Sequence, residues 1–110
     1  MPSRRDLSAD LPVDFSPLAR EKFLHEVRYY AARGQALRFI AAVVEALDRL
    51  QDDPYSFPKV GKNPSLRRVL TKRFPFALVY VVNPSKPAEP LVIAVAHGSR
   101  RPGYWRRRVR

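Results

Sequence analysis

The sequence predicts an α+β domain of order β-α-α-β-β-β, a helical hairpin packed on one face of a small antiparallel sheet. Three observations lead there. Two apolar stripes at helical spacing follow one another with only a short link between them. A stretch rich in proline and glycine then breaks the helical period, and beyond it the apolar residues fall into β-prone runs. At 110 residues, with 45% hydrophobic and 11% aromatic residues, the chain is long enough for one core and too short for two.

Residues 1–11 have little to bury and read as a flexible arm. Residues 12–15 are a short candidate strand. Ser16-Pro17 then supplies an N-cap followed by proline at the first helical position, where the missing amide proton costs nothing. In the first helix Ala19, Phe23, Val27, Tyr30 and Ala31 form the stripe, and Gly34 ends it. Tyr29 and Tyr30 point about 100° apart, so only one belongs fully to that stripe, and Tyr30 is the core member. The second helix covers residues 35–50, with Ala36, Ile40, Val43, Leu47 and Leu50 inward, Leu37 and Val44 widening the face, and Pro54 as the stop. The short link makes the two helices an antiparallel hairpin.

Pro54, Pro58, Gly61 and Pro64 mark a connection that is neither helix nor central strand. Residues 66–72 then read as an imperfectly alternating strand. Residues 76–82 are β-prone on both faces, as in a central strand, and residues 91–97 form the last strand after a turn at 83–87. Within that last strand Leu91, Ile93, Val95 and His97 share one face. Val92, Ala94 and Ala96 share a smaller one, against which helices would approach closely. The expected core comprises Phe23, Val27, Ile40, Val43, Leu47, Leu78 and Tyr80.

Charge is the unusual feature. The formal charge is +11, yet residues 1–58 hold eight Arg/Lys against nine Asp/Glu, while residues 59–110 hold thirteen Arg/Lys and Glu89 alone. Such a one-sided field attracts nucleic acid, a membrane surface or an acidic protein; a solvated basic surface kept for solubility is the bland alternative. Cysteine is absent, which excludes disulfides and thiolate metal sites and fits a cytoplasmic protein. No apolar run approaches the roughly 20 residues of a membrane span, and the first residues lack a signal-peptide core. No Gly-rich phosphate loop or metal-ligand cluster stands out, so no metal or cofactor is expected.

Two segments carry a family resemblance: Arg73-Phe74-Pro75-Phe76-Ala77-Leu78-Val79-Tyr80, and Val95-Ala96-His97-Gly98-Ser99-Arg100-Arg101-Pro102-Gly103-Tyr104-Trp105. Together with Tyr29-Tyr30-Ala31 and the 53–61 connection, they resemble the RelE/ParE toxin superfamily, in particular its ParE-like branch. The matching element order spans about residues 12–105, leaving residues 106–110 as a basic tail. The resemblance implies the toxin of a type II toxin-antitoxin pair, bound by a cognate acidic antitoxin in a hetero-oligomer. ParE-like members are associated with poisoning DNA gyrase and RelE-like members with cutting messenger RNA on the ribosome, two functions on one fold.

Cutting RNA needs a base, an acid and cations aimed at one phosphate. Arg73, His97, Arg100 and Tyr104 are the residue types for that role, although a lone histidine at a strand end also serves as a structural hydrogen-bonding residue. In messenger-cutting relatives the position of Ala77 usually carries an arginine. Its loss removes on the order of several kcal/mol of transition-state stabilisation, which favours gyrase inhibition over the nuclease alternative. The residues expected at a target interface are Arg73, His97, Arg100, Arg101, Tyr104, Trp105, Arg106, Arg107 and Arg108. Arginines around an aromatic pair clamp phosphates and stack on bases, or anchor a protein interface, or form a mobile basic end.

Overall fold

The structure, a computed structural model, describes residues 11–98. The expected arm, apart from Leu11, and the expected basic tail lie outside these residues, as do Arg100, Arg101, Tyr104, Trp105, Arg106, Arg107 and Arg108. The elements are β1 (Asp14–Phe15), α1 (Pro17–Ala31), α2 (Ala36–Asp52), β2 (Lys59–Val60), β3 (Asn63–Leu70), β4 (Phe76–Asn83) and β5 (Lys86–His97). The strands form one sheet in the order β1-β5-β4-β3-β2, and the helical hairpin packs on one face of it.

The α+β architecture is as expected, with two differences in the sheet: it has five strands where four were expected, the extra one being β2, and it is mixed. β2 to β5 pair antiparallel, but β1 lies parallel to β5, with Asp14 opposite Leu91, so the sheet is mixed. Since the helical hairpin, rather than a tight turn, follows β1, no local constraint forces antiparallel pairing there. β2 is a two-residue edge strand inside the proline-rich connection. β3 and β5 begin earlier than the apolar runs that announced them, and both early segments contain proline, which edge positions tolerate.

Local chemistry fixes the hairpin. The Ser16 hydroxyl accepts from the Ala19 amide at 3.3 Å, while the Ser16 amide donates to the Val92 carbonyl at 2.8 Å, tying the start of α1 to β5. At the other end the Gln35 amide donates to the Tyr30 carbonyl at 2.8 Å and the Gly34 amide to the Ala31 carbonyl at 3.1 Å. This is a Schellman cap, and its left-handed position is Gly34 at φ 70°.

Five of the seven expected core residues, Phe23, Val43, Leu47, Leu78 and Tyr80, are buried between hairpin and sheet, and Val27 and Ile40 are partly buried. Val43, Leu47 and Leu50 of α2 face inward as expected, but its first turn differs. Phe39, absent from the expected stripe, is 0% exposed and Leu37 is 82% exposed. The cause is an aromatic cluster in which the Phe39 ring lies 4.9 Å from Tyr30, 5.5 Å from Phe74 and 5.4 Å from Phe76. Burying that ring outweighs burying Leu37.

The two faces of β5 also differ from simple alternation. Val79 pairs with Ala94 and Tyr80 with Val92, so Ile93 is an extra residue that shifts the register. Val92 and Val95 therefore both face the helices. Ala94 and Ala96 join Val60, Leu66 and Val79 in a smaller cluster on the opposite face. The small face of β5 is thus not the one the helices cover.

Candidate functional site

The hairpin tip, the β3–β4 turn and the end of β5 meet at one end of the sheet. The turn is wired internally. Thr71 is buried; its amide donates to the Phe76 carbonyl at 2.9 Å, and its hydroxyl donates to the Phe74 carbonyl at 2.7 Å. Phe74 anchors the turn from below, its ring edge-on to Tyr30 at 4.9 Å. From the side, the Gly98 amide donates to the Pro75 carbonyl. A side chain at Gly98 would bring Cβ within 3.1 Å of that same carbonyl oxygen, which accounts for glycine at the exit of β5.

This wiring holds Lys72 and Arg73 outward, both exposed. Arg73 adopts φ 71°, and among the described residues it is the one non-glycine with positive φ. For a residue with a Cβ this conformation costs roughly 1–2 kcal/mol, which the pinned ends of the turn must offset.

Beside the turn lies an open groove of about 350 Å³, lined by residues including Arg68, Leu70, Phe74, Ala77 and Gly98. Leu70 is 57% exposed and Arg68 is exposed. Arg68 pairs across to Val79, and so shares the face of Ala77 and Ala96. The field at this end is positive. The acid near the turn, Glu45, accepts from Arg49 at 2.6 Å and lies 4.0 Å from the Lys72 ammonium. Arg49 also donates to the Leu70 carbonyl at 2.7 Å, holding the end of β3 to α2.

The expected site residues among the described ones, Arg73 and His97, are both at this end but do not share the groove. His97 is half-buried on the helix-side face, where its ring meets Phe76 edge-on at 5.0 Å. Ala77 and Arg68 lie on the opposite face. Arg68 is the residue that sequence reasoning passed over. Its signal was the alternation Leu66, Arg68, Leu70, which sets it on the face opposite Arg67. Arg67 is structural: its guanidinium donates to the Phe57 carbonyl at 2.7 Å and lies 5.5 Å from the Tyr55 ring centroid. Nearby, the buried Tyr80 hydroxyl donates to the Pro54 carbonyl at 2.6 Å, and burial pushes its pKa up to about 12 against opposition from Arg67.

Among the described residues no cluster of three or more His, Cys, Asp or Glu side chains is placed to hold a metal ion, and no helix is long and apolar enough to cross a membrane. Among the described residues the arrangement offers cations, an exposed leucine and a strained turn.

No curated protein matches the chain. A solved structure, the chromosomal ParDE TA system from P. aeruginosa, is similar with a TM-score of 0.62 at 16% identity, covering 79% of this chain and 95% of that one. At that identity the likeness speaks for the fold. The family model described as the ParE toxin of type II toxin-antitoxin system, parDE, matches residues 13–102, and a match over so much of the chain makes this protein a member of the ParE toxin family.

Proposed function

We propose that this ParE-family toxin inhibits DNA gyrase by binding it through the cationic end of the sheet, and that a cognate acidic antitoxin neutralises it. The observation that carries the reading is the separation of His97 from the groove of Arg68 and Ala77, on opposite faces of the sheet. A binding surface tolerates that separation; general acid–base chemistry on one phosphate does not. Lys72, Arg73 and Leu70 supply the charge and the apolar contact of an interface, with Arg100, Arg101, Tyr104, Trp105, Arg106, Arg107 and Arg108 as further target-binding residues beyond the described ones.

The ribosome-dependent nuclease is the second reading, and one observation favours it: Arg68 lines the groove of Ala77 and can take the place of the missing cation. Purified toxin tested for inhibition of gyrase supercoiling, in parallel with primer extension on translating messenger RNA, separates the two. Cleavage of the message with supercoiling untouched would refute the gyrase reading. His97→Ala sharpens the contrast, because loss of a general base lowers a rate by about 10²- to 10⁴-fold, whereas one peripheral contact costs far less.

A further inference from the structure

Lys72 and Arg73 follow directly on the end of β3, and that end has an open side. β2 runs beside β3 as far as Arg68, whose amide donates to the Pro58 carbonyl at 3.1 Å. Beyond it no described strand lies on that side. Leu70 sits opposite Ala77, and the next pair, Thr71 and Phe76, is the one joined by a hydrogen bond, so the Leu70 carbonyl points away from β4 and needs another partner. Arg49 of α2 supplies it. Its guanidinium donates to that carbonyl at 2.7 Å, two residues before Lys72.

The guanidinium reaches β3 because a carboxylate aims it. Glu45, one helical turn back on α2, accepts from Arg49 Nε at 2.6 Å, which fixes the planar fork and leaves a terminal nitrogen for Leu70. Glu45 uses one oxygen, Oε2, for this. Its Oε1 is buried and accepts no hydrogen bond, and the Lys72 ammonium stands 4.0 Å from the same Oε2. One oxygen therefore faces two cations, one on the helix and one on the turn.

An acid beside a cationic binding surface acts in one of two opposite ways. As an opposing charge it draws Lys72 back and lowers the field of the surface. As an anchor it orients Arg49, and through Arg49 the end of β3. The distances favour the anchor, since the short contact goes to Arg49 and the long one to Lys72, whose side chain is 71% exposed. Ion pairs as exposed as these add little to global stability, so their effect is on where the turn sits against α2.

We infer that Glu45 and Arg49 are positioning residues for target binding: the carboxylate aims the guanidinium, and the guanidinium holds the Leu70 carbonyl so that Lys72 and Arg73 are presented in one arrangement. This rests on the gyrase reading above and adds to it a part for α2. It carries a consequence of unusual sign. Removing Glu45 makes the chain more positive and nevertheless weakens the toxin.

The test compares the purified full chain with Glu45→Ala, Arg49→Ala, Arg49→Lys and Asp48→Ala in inhibition of gyrase supercoiling, thermal unfolding and amide exchange of Thr71 to Arg73. Asp48 is an exposed acid on the same helix, so its variant repeats the charge change of Glu45→Ala without touching the contacts described above. Arg49→Lys keeps the charge, but an ammonium lacks the fork that spans carboxylate and carbonyl. Glu45→Ala and both Arg49 variants are expected to inhibit at least fivefold less than the wild type, with faster exchange in the turn and an unchanged unfolding midpoint. Asp48→Ala should stay within twofold. Should Arg49→Ala unfold, Arg49→Lys carries the test. Glu45→Ala inhibiting as well as the wild type, or better, makes Glu45 an opposing charge or a bystander and overturns the proposal. Arg49→Lys matching the wild type overturns it too, because charge at that position would then suffice. A wild-type chain that leaves supercoiling untouched removes the gyrase reading, and the positioning role with it.

Discussion

Tyr80 shows at the scale of one residue how this core is held. Its ring is fully buried, yet its hydroxyl reaches the Pro54 carbonyl at 2.6 Å, so a single side chain fills the space under α2 and fastens the loop that follows it. Its pKa, raised from 10.0 to about 12, makes it a reporter. Below pH 10 the phenol is protonated in folded and unfolded chains alike, and the stabilisation is complete. As pH rises from 10 toward 12 the unfolded chain loses the proton first, unfolding releases it, and stability falls. A two-unit difference corresponds to about 2 to 3 kcal/mol. Urea denaturation between pH 9 and 12 should therefore show a steeper loss for the wild type than for Tyr80→Phe; parallel curves would contradict the burial of that hydroxyl. Arg73 gives a second prediction. Glycine at that position removes the left-handed strain at the cost of extra freedom in the unfolded chain, so Arg73→Gly should keep stability within about 1 kcal/mol of wild type. Growth inhibition should nevertheless drop, because the cation is gone. A variant that stays fully toxic would remove Arg73 from the target interface.

At the scale of the element, both ends of α1 were legible because capping is local: Ser16 and Pro17 at its start and Gly34 at its end act through neighbours within a few residues. The facing of the first turn of α2 was not, because Phe39 is drawn inward by Tyr30, Phe74 and Phe76, two of which lie more than thirty positions away, whereas Val43, Leu47 and Leu50 face inward as their spacing predicts. The same reason hid the face change in β5. The extra residue Ile93 is defined by its register against β4, and nothing in a run of alternating aliphatic residues marks it. The orientation of α2 can be checked by two truncations. Leu47→Ala should cost roughly 2–5 kcal/mol and Leu37→Ala less than about 0.5 kcal/mol, measured by chemical denaturation. Equal losses would mean that the helix is turned differently.

For the whole molecule, the sequence separated charge along the chain, and the fold separates it in space. Lys72 and Arg73 on the β3–β4 turn come from the basic half, while Arg28, Arg33 and Arg38 on the hairpin tip come from the half that is nearly neutral overall. Arg73 was expected at a target interface, since it lies in the segment that resembles the family; Lys72 beside it was not. The hairpin-tip group could not be seen without knowing that α1 ends beside Phe74. Binding at this end should weaken with added salt, while the exposed Leu70 retains a part that salt does not screen. The central claim is that this end holds gyrase, and a supercoiling assay with purified toxin tests it most directly. Wild-type protein should inhibit supercoiling in proportion to its concentration, and the triple variant Arg68→Glu, Lys72→Glu, Arg73→Glu, folded and equally stable, should inhibit at least tenfold less. Supercoiling unaffected by the wild type, or inhibited equally by the triple variant, would contradict the account.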